Sequence, residues 1–440
     1  MNIYLIAPGW KGKQYTRISI TSSLLYLAAL TPDAHSVRVD DESFGDAIDF
    51  SHDADLVAIS CSTPQAPRGY EIADEFRRRG KKVVMGGMHP SLMLEEALPH
   101  CDSVGVGEGE LIWKDILRDA EAGNLKPVYK ADRLADSAEI PRPDRSVMKG
   151  KRRELLCQVQ TTRGCPFNCS FCSVTRFFGR SYRQRLIEDV IDEISELKKS
   201  KMLLNNFLFL TDDNIMADKD YAKRFFTALA PIGIKWEGQA SISVADDDEL
   251  MRLARQSGCQ AISIGMESLS PESLKDANKQ MNSKERFERA IKKLHANKIA
   301  VFGLFIFGFD SDDEHCFMDT LQFIEDNKME GALLNSLTPL PGTKVYEQFE
   351  KEGRIAVTDW GRYDFFNVVF NPKNMTREQL FYGRNYILNK LHEFPSILRR
   401  IIGAKTFSSL SLVKYFSARN SIKTLPTGGY VPPKRPPARP

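Results

Sequence analysis

A chain of 440 residues is too long for one ordinary hydrophobic core, so length alone calls for two domains with appendages. With 42% hydrophobic and 27% charged residues it reads as a soluble globular protein, and a formal net charge of +3 excludes a general polyanion partner such as nucleic acid. No stretch approaches the roughly 20 apolar residues of a spanning helix.

The opening MNIYLIAPGWKGKQ has a short apolar run before a Pro-Gly turn, which reads as a first strand and not as a signal peptide. A cytoplasmic location is expected, with the eight cysteines as reduced thiols or metal ligands. Short β-type runs then alternate with helical patterns. NIYLIAP, VRVD, LVAIS, KKVVMGG and DSVGVGE are predicted strands; SLLYLAAL, GYEIADEFRRRG and LIWKDILRDAEAG are predicted helices. These five units predict an α/β domain over residues 1–135, an open, doubly wound parallel sheet. The polar stretch ADSAEIPRPDRS, with Pro141 and Pro143, marks a linker over 136–152.

The alternation restarts over 153–350. LLCQVQTTRG, NFLFLTDDN, IKWEGQAS, CQAISIGMES, IAVFGLFIFGF and GALLNSLTPLPG read as six strands separated by helices, which predicts a partial (β/α)6 barrel with functional groups at the carboxyl ends of its strands. A small helical, substrate-enclosing region is expected over 351–416, with Trp360, Arg362, Tyr363, Asn367 and Asn374 as candidates. The basic, Pro-rich tail over 417–440 is expected to be disordered. It is read as a solvated linker, with contact to an anionic membrane surface as the competing reading.

Just after the first barrel strand, TTRGCPFNCSFCSVTR places Cys165, Cys169 and Cys172 within eight residues. A structural zinc site wants four closed ligands, and the nearest histidines are His100 and His295, with Cys157 on the preceding strand. An iron–sulfur cubane on three thiolates keeps one iron open for a substrate. Cys61, Cys101, Cys157, Cys259 and Cys316 have no ligand spacing and read as small buried apolar residues.

The motif CPFNCSFC resembles that of the radical S-adenosylmethionine (SAM) superfamily. The resemblance implies a 4Fe–4S cluster on Cys165, Cys169 and Cys172, SAM on the open iron, and a 5′-deoxyadenosyl radical that abstracts hydrogen. It further implies SAM contacts from Asp212, Asp213 and Asn214 in TDDN, from Glu267 and Ser268 at the end of GCQAISIGMES, and from Pro341 and Gly342 in LTPLPGT. Without the cysteines, the acidic trio reads equally as a helix cap and the Pro-Gly pair as a turn.

The N-terminal sheet resembles the cobalamin-binding domains of the group related to anaerobic magnesium-protoporphyrin cyclase and the radical carbon methylases. Ser60, Ser62, Thr63, Gly86, Gly87, Gly107, Glu108 and Gly109 end its strands, where small residues let a macrocycle and its nucleotide tail approach the backbone. The chain departs from the group at APGWKG, which lacks the cobalt-ligating histidine of Asp-x-His-x-x-Gly. His89 reads as a helix cap, and a domain that merely supports the barrel remains the alternative. The expected function is methylation of an unactivated carbon of a small-molecule or lipid-like substrate, with a reducing partner such as flavodoxin or ferredoxin. The alternatives are a cobalamin-dependent cyclase or rearrangement enzyme, and a non-catalytic cobalamin or redox sensor.

Overall fold

The computed structural model describes residues 1–10, 19–148, 157–200, 202–404 and 425–433. The first domain is a six-stranded sheet of β1 (Asn2–Ala7), β2 (Ser36–Asp41), β3 (Leu56–Ser60), β4 (Lys82–Gly86), β5 (Ser103–Val106) and β6 (Val128–Lys130). The strands are ordered β2-β1-β3-β4-β5-β6 and all run parallel. LVAIS and VVM are continuous apolar runs because both faces of a parallel sheet are covered. Helices α1 (Ser22–Leu30) and α4 (Gly109–Glu121) cover one face, α2 (Ala66–Arg78) covers the other, and α3 (Met88–Leu92) follows β4. The sixth strand, VYK, has no counterpart among the predicted strands: three residues with one buried side chain carry no readable period.

The second domain has the six predicted strands: β7 (Cys157–Val159), β8 (Phe207–Leu210), β9 (Lys235–Ala240), β10 (Cys259–Glu267), β11 (Ala300–Phe307) and β12 (Gly331–Ser336). Parallel pairing runs in that order, and the described residues show no β12–β7 pair, so the curled sheet stays open. A short α5 (Ser173–Phe177) follows the cysteine loop. The outer layer is α6 (Ile187–Lys199), α7 (Lys219–Leu229), α8 (Asp248–Gln256), α9 (Lys284–Ala296), α10 (His315–Asp326) and α11 (Lys344–Lys351). Strand β11 shows why it curls around a cleft. Val301 and Phe305 are fully buried beneath the helices, while Phe302, Leu304 and Ile306 alternate with them, half-buried on the concave side.

The domains are bolted together at β7. Gln158 accepts from Ser22 Oγ at 3.0 Å and donates to Ser19 Oγ at 2.6 Å, and the Asp144 N–H donates to Leu25 O at 3.0 Å. Behind the barrel, α12 (Arg377–Leu391) starts from a Thr376/Gln379 capping box, and α13 (Phe394–Ala404) follows it.

The chain then returns over α12, contrary to a tail expected to be structureless from residue 417. Asn385 Nδ2 donates to Pro426 O at 2.8 Å, Asn389 Nδ2 donates to Leu425 O at 3.3 Å, and the Tyr430 ring meets Phe317 edge-on. A segment that fills gaps with two large side chains needs no periodicity, so pattern alone does not reveal it. Residues 417–424 and 434–440 lie outside the described residues. No helix of the described residues is long and apolar enough to cross a membrane.

Candidate active site

The cysteine loop is held in place by side chains from the strand ends around it. One oxygen of Asp212, at the end of β8, accepts from the Thr161 N–H at 3.0 Å, Thr161 Oγ1 at 2.8 Å, Thr162 Oγ1 at 2.6 Å and the Thr162 N–H. Asp213 accepts from the Gly164 N–H at 3.1 Å. Gly164 has φ +88°, and a Cβ there would lie 2.5 Å from Ser181 O, so only glycine turns the chain into the loop. Farther along, the Ser170 N–H and hydroxyl donate to Ala277 O and Asp276 O, and Asn278 Nδ2 donates to Asn168 O.

Cys165, Cys169 and Cys172 are each half-buried on this loop. Burial pushes all three thiols up, Cys169 to about 12, so they ionise only against a cationic partner. Lys279 supplies one positive charge, in an ion pair with Glu267 beside Cys169 and Cys165. Burial lowers the Lys279 ammonium, but Glu267 and the two cysteines raise it further, and it stays protonated. Glu267 adopts φ +60°, a strained conformation that aims its carboxylate at this pair. Neither the lysine nor its pairing is legible in ANKQM, where Lys279 looks like any solvated lysine. Among the described residues no three His, Cys, Asp or Glu side chains converge on a single metal-ion position.

The other predicted SAM contacts separate by role. Asp212 is an anchor of the loop backbone; burial raises its carboxyl to about 6, against the pull of its four donors. Its second oxygen and Asn214 Nδ2 are buried without a partner among the described residues, while Asn214 Oδ1 accepts from the Ser241 N–H. These orphaned polar atoms and Lys279 suit a ligand carrying both an ammonium and a carboxylate. Ser268 is buried at the end of β10. Pro341 and Gly342 form the turn before α11, where Gly342 O accepts from Arg176 of α5.

A cavity of about 400 Å³ opens at the carboxyl edge of the N-terminal sheet. Ser60, Ser62, Gly86, Gly87, Gly107, Glu108 and Gly109 line its rim, and Leu27, Leu30, Ala58, Val84, Ile112 and Ile116 its apolar depth. Leu30 lies eight residues along α1 from Ser22, which places it roughly 12 Å along the helix axis. A slot of that depth is long enough for a nucleotide tail, and the glycines leave its rim without side chains. Thr63 lies outside the lining: it is buried behind it, with its hydroxyl 3.3 Å from His89 Nδ1.

His89 is not a cap. Gly87 occupies the N-cap of α3, and His89 is fully buried between Thr63 and Glu96 and beneath the edge of Trp360. No histidine is among the lining residues. The C-terminal candidates each have a partner within the protein. Trp360 Nε1 donates to Glu96 at 2.8 Å, Tyr363 is fully buried with its hydroxyl on Val357 O, Arg362 donates to Asn367, Asn367 donates to Asp364, and Asn374 donates to Asp310 O.

Gln160, Arg163, Phe177 and Phe178 from the cysteine loop and its helix close the cavity on the barrel side. Arg163 reaches Glu108 and Glu110 at 2.8 Å each, with its guanidinium over Tyr26 and Phe178, and Arg183 reaches Glu108 at 2.6 Å. Burial pushes the Glu108 carboxyl up, but hydrogen bonds from Arg183, Arg163 and the Ala135 N–H outweigh it and hold the group ionised. The cavity and the cysteine loop are thus two sides of one wall.

A radical SAM superfamily model matches residues 159–324 and a B12-binding domain model matches residues 20–117. The chain is 35% identical over 419 residues to the bacteriochlorophyllide d C-12(1)-methyltransferase of Chlorobaculum tepidum, covering 93% of this chain and 90% of that one. It is 32% identical over 357 residues to the bacteriochlorophyllide d C-8(2)-methyltransferase of the same organism, covering 78% and 79%. In fold it is similar to the cobalamin-dependent SAM radical enzyme OxsB, with a TM-score of 0.69, 16% identity and coverage of 96% and 70%. It is also similar to the radical SAM methyltransferase TsrM from Kitasatospora setae, with a TM-score of 0.64, 17% identity and coverage of 80% and 78%. The chain is an enzyme of the radical SAM superfamily, belongs to its cobalamin-binding methyltransferases, and uses a 4Fe–4S cluster, SAM and cobalamin.

Proposed function

We propose that this enzyme methylates an unactivated carbon of a large apolar small molecule of the tetrapyrrole class. The observation that carries the reading is the shared wall: Arg163 lines the cavity and lies two residues before Cys165, so one short segment of chain separates the corrin cavity from the cluster loop. When bound, the cluster and SAM supply hydrogen-atom abstraction, and cobalamin supplies the methyl group.

The chain's own residues bind and orient. Cys165, Cys169 and Cys172 would hold the cluster; Lys279 and the free Asn214 Nδ2 would meet the SAM carboxylate, and Asp213 with the free oxygen of Asp212 would meet its ammonium. The glycine rim and apolar slot would hold the corrin, and the described lining residues include no histidine to offer its cobalt. The concave wall supports the substrate class. Phe302, Leu304 and Ile306 of β11 lie there in register with Gly331, Leu333 and Asn335 of β12, and Leu333 is 59% exposed. A flat apolar substrate covers such a wall, and the bacteriochlorophyllide methyltransferases act on molecules of that kind. A flavodoxin or ferredoxin supplies the electron.

The test is anaerobic turnover with cobalamin, a reductant and bacteriochlorophyllide-type substrates. Equal yields of S-adenosylhomocysteine and 5′-deoxyadenosine, with a methylated product, are expected. Deoxyadenosine without S-adenosylhomocysteine would overturn methyl transfer in favour of cyclisation or rearrangement.

A further inference from the structure

Helix α13 is buried along one face and carries an exposed apolar stripe along the opposite one. Ser396, Ile397 and Arg400 are buried against the body of the protein, where Arg400 donates to Met329 O at 3.2 Å and also to Leu391 O. On the other side Phe394, Leu398 and Ile402 are 55%, 44% and 68% exposed. Their spacing of four puts them within one narrow stripe at about 100° per residue. A helix anchored on one side and bathed in water on the other ordinarily presents polar residues outward. Arg399, with a side chain 63% exposed and 3.8 Å from the Glu325 carboxylate, flanks the stripe instead.

The charge of the chain is divided at this helix. All 58 Asp and Glu residues lie at or before Glu393, while nine Lys and Arg, beginning with Arg399, follow it. A near-neutral net charge therefore hides an acidic body and a uniformly basic end. An outward apolar stripe beside positive charge, with no carboxylate after it, matches the two terms of interfacial lipid binding: apolar burial at the headgroup boundary and attraction to anionic headgroups.

We propose that the outward face of α13 is a docking surface for an anionic lipid bilayer. The stripe enters the headgroup boundary, Arg399 stays at the phosphate level, and the barrel is held beside the membrane. A second copy of the chain is the competing occupant, but a surface between copies has no use for an excess of like charge, which would repel across a two-fold axis.

The experiment is cosedimentation of the full-length protein with vesicles of phosphatidylcholine, alone or mixed with phosphatidylglycerol, at low and high salt. Anionic vesicles are expected to bind at least about tenfold more protein than neutral ones, with the difference shrinking at high salt. Leu398→Ser with Ile402→Ser should lower anionic-vesicle binding about tenfold and leave the thermal midpoint unchanged, since both side chains are exposed. Phe394→Trp serves as a second variant that keeps the apolar stripe, and its indole emission should shift to the blue on adding anionic vesicles. No binding to anionic vesicles, binding unaffected by the double substitution, or no emission shift each overturns the proposal. So does a dimer that the double substitution dissociates, which would make the face an interface between copies.

Discussion

Arg163 of the barrel and Glu108 of the N-terminal domain form a 2.8 Å ion pair, both almost fully buried, 55 residues apart in sequence. Arg183 shares the same carboxylate. Replacing Glu108 with Gln leaves Arg163 with Glu110 alone and Arg183 buried against a neutral amide without a carboxylate, and uncompensated burial of this kind costs about 3 kcal/mol. Glu108→Gln is expected to lower the unfolding midpoint and weaken corrinoid binding together, measured by thermal denaturation and by titration with cobalamin. An unchanged midpoint would mean that the network is not the joint between the domains.

Changing any one of Cys165, Cys169 or Cys172 to Ala should remove SAM cleavage altogether, because three thiolates are the minimum that leaves one iron open. Anaerobic reconstitution of the unmodified protein should give about four irons per chain. Zinc filling the loop where iron does not would refute the cluster assignment.

Two adjacent glycines on the cavity rim should behave differently. A Cβ on Gly86 would meet only Gly105 O, at 3.6 Å, whereas one on Gly87 would lie 2.8 Å from Cys61 O at φ +93°. Gly86→Ala should therefore fold normally and reduce corrinoid affinity, since its methyl projects from the rim. Gly87→Ala should lose about 1–3 kcal/mol of stability from backbone strain and collision. Equal behaviour of the two in denaturation and titration would mean that the rim is misassigned.

Asp312 gives a pH signature away from the metal loop. Burial raises its carboxyl from 3.8 to about 6, despite hydrogen bonds from Ser273 and the Gly308 and Phe309 N–H groups. The folded state then holds more protons than the unfolded chain between those two values, so this contribution is full below pH 3.8 and is lost as pH rises through about 6. Asp312→Asn should flatten that part of the stability-versus-pH curve, read as the difference in urea midpoints between variant and parent. A parallel displacement with no change of slope would count against it.

Ending the chain before Leu425 should destabilise the protein by about 2 kcal/mol, since Leu425 and Tyr430 lose their seats on α12 and Phe317. Removing only 434–440 should change nothing measurable. Chemical denaturation of the two truncations separates these outcomes.

The order of strands and helices was written in the sequence because parallel sheets need apolar runs at regular intervals, and VVMGG or FGLFIFGF has few other uses. CPFNCSFC was equally legible, since its ligands are local and their spacing is itself the signal. Contacts between distant segments were not. Lys279 becomes a group of the site only because strained Glu267 turns back onto it beside Cys169. TDDN reads as three equivalent ligand contacts, yet the turn after β8 commits one oxygen of Asp212 to Thr161 and Thr162 and leaves its other oxygen, Asp213 and Asn214 Nδ2 to meet a ligand. Trp360 carries no sign in the sequence of its bond to Glu96, 264 residues away. Local pattern fixes what the backbone does over a few residues, because periodicity and turn chemistry act at that range. Which polar side chains are neutralised, buried or left facing a cleft is decided by partners dozens to hundreds of residues away, and only the tertiary structure names them.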